Sequence, residues 1–275
     1  METDEADRIY DQFAEAYRDW WGPIIAPAAV RVLDDVEVPA DDHRLFDLLD
    51  IGTGAGVLAV GALGRWPGVR VVALDPSSEM LSLALDAARA AGHGDRLRTV
   101  TAPADRIPVP DASTDVAVSS FVVQLVPDRP AVMREVIRVL RPGGLFACLT
   151  WQDDDLHFPA DDAFSDALDE LRIIPPPDDR DVDPYEDPSQ AEEEFRGSGF
   201  VEIRAEQVWV EHRFAPEEYL DLLEHWIERE TFASLDEESR RQLRGVALRE
   251  LRALSSGAFL WRRPLVHVVA RGPRR

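Results

Sequence analysis

The chain has 275 residues, enough for one large domain or a domain with a lid. Its formal charge is −23 and all 30 basic residues are arginine, so the basic stripe that phosphate backbones require is missing and no nucleic-acid partner is expected. No apolar run approaches a membrane span, and one cysteine excludes an intrachain disulfide framework or a multi-cysteine metal site.

The acidic N-terminus, Met1 to Glu5, does not read as a signal peptide, and a cytoplasmic protein is expected. Residues 5–21 read as an amphipathic helix with Ile9, Phe13, Tyr17 and Trp20 on one face. Gly22-Pro23 is expected to stop it, and a second helix is predicted over 26–36, with Pro27 in its first turn. Pro39 to His43 reads as a polar connection. The aromatic density here suits either helix-on-sheet packing or a cap over a cationic ligand.

Strand and helix signals then alternate. Strands are predicted over 45–51, 69–74, 97–101, 115–121 and 145–151, with helices over 56–63, 77–91 and 129–140. Pro142-Gly143-Gly144 reads as a turn before the fifth strand. This order predicts an α/β fold, a Rossmann-like parallel sheet with helices on both faces. Strands four and five are nearly all apolar, as strands buried on both faces should be, and Cys148 in the fifth is expected to be buried and inert.

The pattern changes after Trp151. Asp153 to Glu194 holds 17 acidic residues against two arginines. It reads as a solvated excursion with two helical pieces, 161–172 and 189–196. A strand follows over 200–211, then helices over 216–229 and 236–254, then a last strand over 263–271. The two late strands suggest an antiparallel pair completing a seven-stranded sheet. The expected organisation is a helical cap over 1–40, a binding core over 41–151, an acidic lid over 152–199, and C-terminal elements over 200–275 that complete the same domain.

Chemistry concentrates at the carboxyl ends of the predicted strands, where open α/β sheets bind ligands. Asp50-Ile51-Gly52-Thr53-Gly54-Ala55-Gly56 is a glycine turn between strand and helix. Glycines there let the backbone approach a ligand, and the next helix opens its N–H groups into the same crevice. Asp75 ends the second strand, where a carboxylate can accept both hydroxyls of a ribose. Ala104-Asp105 follows the third strand, and Ser119-Ser120-Phe121 ends the fourth.

In order and spacing, these segments resemble the class I S-adenosylmethionine-dependent methyltransferases, in particular the small-molecule group that includes the ubiquinone/menaquinone C-methyltransferases. Leu48–Gly56 is similar to the first motif of that family, Val72–Leu81 to its second, and Ala104–Val109 to its adenine-framing loop. Asp115–Phe121 and Leu140–Leu145 resemble its fourth strand and the turn into its fifth. The resemblance implies S-adenosylmethionine as cofactor and a small-molecule acceptor. It places Asp50, Gly52, Thr53, Gly54 and Gly56 at the methionine part, with Asp50 attracting the ammonium. It places Asp75 on the ribose, Pro76 and Met80 against adenine, and Ala104 N–H on an adenine nitrogen. Ser119 and Phe121 would line the floor near the sulfonium, with Tyr17 above as part of the cap. Pro103 stands where many relatives carry an acid toward adenine, and Asp105 is the candidate substitute.

Two rivals remain open at this stage. A nicotinamide-dependent oxidoreductase would use the same glycines and Asp75, but the third glycine of its turn is Val57, and Asp50 would repel a pyrophosphate. A catalytically silent cofactor-binding module would keep the same turn. The six histidines are the candidate bases: His157 follows the fifth strand where the lid begins, His212 follows the sixth strand, His225 falls on a helix, and His267 in the last strand is expected in the core. His157, Phe158, Phe164 and Tyr185 are expected near the acceptor wall. No catalytic residue and no metal site is assigned.

Overall fold

The computed structural model describes residues 11–36, 45–177 and 182–274. The polar connection at 39–43 and the first turns of the N-terminal helix lie outside these residues. Seven strands form one sheet in the order β3-β2-β1-β4-β5-β7-β6. β1 (Phe46–Ile51), β2 (Val69–Asp75), β3 (Leu97–Thr101), β4 (Thr114–Ser120) and β5 (Leu140–Trp151) run parallel. β6 (Val201–Arg213) and β7 (Leu260–Arg271) pair antiparallel, and β7 is antiparallel to β5. The expected fold class is therefore observed, with its antiparallel final strands.

The chain winds outward from β1 to β3 and then returns to lay β4 on the other side of β1. That reversal opens a crevice between the carboxyl ends of β1 and β4, where Ile51 pairs with Ser119. Two apolar layers, one on each face, bury the sheet. Cys148 is fully buried, and desolvation pushes its thiol pKa far up, so it is inert packing. Among the described residues no helix is long and apolar enough to cross a membrane.

Four local expectations are corrected. Gly22-Pro23 does not stop the first helix. A five-residue π-turn, Tyr17–Trp21, runs straight into α1 (Gly22–Ala29), with Gly22 N–H on Tyr17 O. Pro23 falls in the first turn of α1, where its missing N–H costs nothing. The run then tightens into a 3-10 stretch, Val30–Asp35. Second, Pro142-Gly143-Gly144 is not a separate turn. β5 already begins at Leu140, and the irregularity is absorbed as a register jump against β4 with Gly143 left-handed at φ +75°.

Third, the single helix expected over 216–229 is α7 (Pro216–Leu222), a π-turn (Leu223–Ile227) and the start of α8 (Arg229–Ala233). Fourth, the late strands are longer than their apolar alternation: β6 takes in His212, and β7 begins three residues early and takes in Trp261. Main-chain pairing between the two strands, His212 with Trp261, extends them past the point where the pattern fades. The remaining helices follow their sequence signals: α2 (Val57–Arg65), α3 (Ser78–Ala90), α4 (Arg129–Val139), α5 (Pro159–Leu171), α6 (Pro188–Ser198) and α9 (Glu237–Ala253).

Candidate functional site

The glycine turn is pinned before any ligand arrives. Gly52 N–H and Thr53 N–H both donate to Leu74 O at the end of β2, at 2.8 and 3.0 Å. This double bond to one carbonyl turns the chain sharply, and Gly52, Gly54 and Gly56 all take left-handed φ. Gly56 lies where a Cβ would come within 2.9 Å of Ala84 on α3, and at Gly52 a Cβ would overlap the Val122 side chain just after β4. Only at Gly54 is there ordinary room. A Cβ there would stand 3.8 Å from the Tyr17 ring, which closes over the turn from the N-terminal helix.

Two buried carboxylates converge on this turn. Asp50 Oδ2 accepts from Thr53 Oγ1 at 2.7 Å and from Ala59 N–H at 3.0 Å, capping the first turn of α2 from inside. Its 1% exposure pushes its pKa up to about 7, chiefly by desolvation; the two hydrogen bonds oppose the rise and the neighbouring Asp75 charge adds to it. Asp75 Oδ2 accepts from Gly54 N–H at 2.8 Å, and its Oδ1 accepts from Ser77 N–H at 3.0 Å. Ser77 caps α3 by accepting from Met80 N–H, and its own hydroxyl donates to Asp11 of the N-terminal helix at 2.6 Å. Asp11, which the sequence reading did not single out, thus joins Asp50 and Asp75 on the same side of the crevice.

The residues expected on the adenine side lie beside Asp75. Ala102 N–H donates to Asp75 O, Met80 and Ala104 are buried, and Pro76 is half-buried. Asp105 is half-buried, and its Oδ1 is a buried atom with no hydrogen-bond partner among the described residues. Ser119 is 1% exposed and its hydroxyl is spent on Ile51 O at 2.9 Å, which ties β4 to β1.

Phe121 follows in a left-handed conformation, φ +58°, uncommon for an aromatic residue. Its N–H donates to Leu149 O and its carbonyl accepts from Gln124 Nε2, so the strained backbone is held from both sides. The ring is aimed at Trp151, 4.8 Å away between centroids. Trp21 and Trp261 complete a cluster around Trp151. Trp261 was missed because the expected strand began two residues later. Tyr17 packs edge-on against Trp226.

The residues expected at the acceptor wall divide. Phe158 and Phe164 are buried in the layer that holds the tryptophans, Tyr185 is buried in the opposite layer with its hydroxyl on Glu194, and His157 is exposed and paired with Asp162. Each described histidine already has a partner: Arg96 for His93, Asp162 for His157, Glu218 for His212, Asp221 O for His225 and Asp35 for His267. Among the described residues no cluster of ligating side chains could hold a metal.

Comparison with known proteins agrees with this geometry. Residues 49–148 match the family model described as a methyltransferase domain. The chain is 35% identical over 109 residues to a malonyl-[acyl-carrier protein] O-methyltransferase of Xylella fastidiosa, covering 40% of this chain and 36% of that protein. It is 37% identical over 135 residues to the ubiquinone/menaquinone biosynthesis C-methyltransferase UbiE of Methylobacterium nodulans, covering 48% and 51%. The chain thus spans about half or less of the length of these curated relatives. Among solved structures, Haemonchus contortus phosphoethanolamine N-methyltransferase 2 superposes with a TM-score of 0.59 at 19% identity, over 97% of this chain and 59% of that one. Its fold is shared over nearly the whole of the present chain. Residues 49–148 thus resemble a methyltransferase domain, and the strand order and glycine turn around them are in keeping with that match.

Proposed function

We propose that the protein binds S-adenosylmethionine at the glycine turn and transfers its methyl group to a small-molecule acceptor. The observation that carries this reading is the pair of buried carboxylates, Asp50 and Asp75, at a turn whose backbone is otherwise shaped for a nucleotide. A dinucleotide would set its pyrophosphate against the Asp50 charge, whereas Asp75 suits the ribose of either ligand. S-adenosylmethionine sets an ammonium and a sulfonium there instead.

The residues present fit that cofactor. The cradle at Gly54 stays open because that residue has no side chain. Asp75, oriented by the Gly54 and Ser77 N–H groups at the end of β2, stands where the ribose hydroxyls would lie. Asp105 Oδ1, which accepts no hydrogen bond and lies 4.0 Å from Arg106 Nε, is an acceptor for the adenine amino group, supplying what Pro103 cannot. Deprotonated Asp50 balances the ammonium charge, directly or through water. The curated relatives named above are, by their names, an O-methyltransferase of malonyl-[acyl-carrier protein] and a C-methyltransferase of ubiquinone/menaquinone biosynthesis, and the structural neighbour is a phosphoethanolamine N-methyltransferase. The atom methylated in the present case, oxygen, carbon or nitrogen, follows from the acceptor.

When bound, the cofactor supplies an electrophilic methyl group, so the chain's task is to align a nucleophile and exclude water. Phe121, locked by its backbone, and Trp151 wall the carboxyl ends of β4 and β5 against solvent. The cap helix with Tyr17 and the stretch that carries Phe158 and Phe164, buried in the same layer as the tryptophans, complete the enclosure. Incubation with methyl-labelled S-adenosylmethionine and a metabolite extract tests the proposal. Label entering the small-molecule fraction supports it; label recovered only in nucleic acid, or not transferred at all, overturns it.

A further inference from the structure

Three indoles and one phenyl ring meet beside the glycine turn. Phe121 lies 4.8 Å from Trp151, Trp151 6.2 Å from both Trp21 and Trp261, and Trp21 5.7 Å from Trp261. They come from four separate places: the N-terminal π-turn, the ends of β4 and β5, and the start of β7. Two short links join them to the turn. Trp21 sits one helical turn after Tyr17, whose ring covers Gly54, and Phe121 precedes Val122, whose side chain abuts Gly52.

Large aromatic side chains at such a junction are normally sealed into the core with their polar tips paired. Here Trp21, Trp151 and Trp261 are all half-buried. None of their indole N–H groups donates to a described residue, and none is an orphaned buried atom, so each remains reachable from solvent. Flat apolar faces with free N–H donors at their edges complement a flat ring that carries oxygen. A compact cation is a poorer match, because the Arg263 guanidinium already stands 5.9 Å from the Trp261 ring, with Asp154 3.9 Å behind it.

Building on the methyltransferase reading, the geometry points to Trp21, Phe121, Trp151 and Trp261 as the acceptor box, and to a planar conjugated acceptor bearing hydroxyl, carbonyl or carboxylate oxygen as its occupant. Methylammonium compounds are the class it excludes. The ring faces lie along the acceptor, and the indole N–H groups hold its oxygens.

The test is calorimetry on the full chain saturated with S-adenosylhomocysteine, using 2-naphthol and tetramethylammonium as probes. Naphthol binds and tetramethylammonium does not. Trp261→Ala weakens naphthol binding about tenfold, the size expected for removing one stacking face. Trp261→Phe keeps the face, loses the N–H and recovers part of that affinity. S-adenosylhomocysteine affinity is unchanged in both variants, which shows that they are folded. Preferential binding of tetramethylammonium, or naphthol affinity indifferent to Trp261→Ala, overturns the inference. Failure of the wild type to bind S-adenosylhomocysteine would instead strike the methyltransferase reading beneath it.

Discussion

Replacing Asp50 with asparagine separates what this residue costs the fold from what it gives the site. In the folded chain its pKa is pushed up to about 7 from an ordinary 3.8. Between those values the folded state keeps a proton that the unfolded chain has released, so the Asp50 contribution to stability falls as pH rises through 7. Roughly three pH units at about 1.4 kcal/mol each set a ceiling of about 4 kcal/mol on the penalty above pH 7. An asparagine oxygen can still accept from Thr53 and Ala59, and its amide group brings no buried charge. Asp50→Asn therefore melts several degrees above the wild type at pH 8, with the gap narrowing steadily from pH 7 to pH 5 and closing only below about pH 4, while its cofactor affinity drops. Thermal melts by circular dichroism from pH 5 to 8, paired with calorimetry, measure both. A variant less stable than wild type at pH 8, or a gap that does not change with pH, refutes the reasoning.

The glycines give a paired test. Gly54→Ala costs about 1–2 kcal/mol, the left-handed penalty alone, yet weakens S-adenosylmethionine binding by filling the cradle under Tyr17. Gly52→Ala adds an overlap with Val122 and costs about 2–5 kcal/mol, part of which Val122→Ala restores; a cost equal to that of Gly54→Ala would show the overlap to be wrong. Asp75→Ala strands the Gly54 and Ser77 N–H groups and removes the ribose acceptor, lowering cofactor affinity by about tenfold to a hundredfold in calorimetry. Molar KCl raises the melting temperature by screening the −23 net charge; an unchanged melt would contradict that self-repulsion.

The strands that carry the site were legible because each is a short apolar run bounded by a turn signal. Asp50, Asp75 and Phe121 could be placed at their carboxyl ends from sequence alone. Side-chain partners were not legible. Nothing in the spacing shows that Asp50 also caps α2, or that the Ser119 hydroxyl is consumed by Ile51 O. The aromatic box escaped for a different reason. Its members are separated by as much as the distance from Trp21 to Trp261, and Trp261 enters the sheet only because β6 and β7 continue pairing after their apolar alternation ends. The π-turns at 17–21 and 223–227 leave no composition signal, since they depend on the two segments packing together through Tyr17 and Trp226.

The central claim is that the buried Asp50 carboxylate, set two residues before the first glycine, makes this turn a site for a sulfonium amino-acid nucleoside and not for a dinucleotide. Calorimetric titration of the full chain with S-adenosylmethionine and with NAD, side by side at pH 8, tests it most directly. Saturable binding of S-adenosylmethionine with no heat from NAD is the predicted result, and NAD binding without S-adenosylmethionine binding would contradict it.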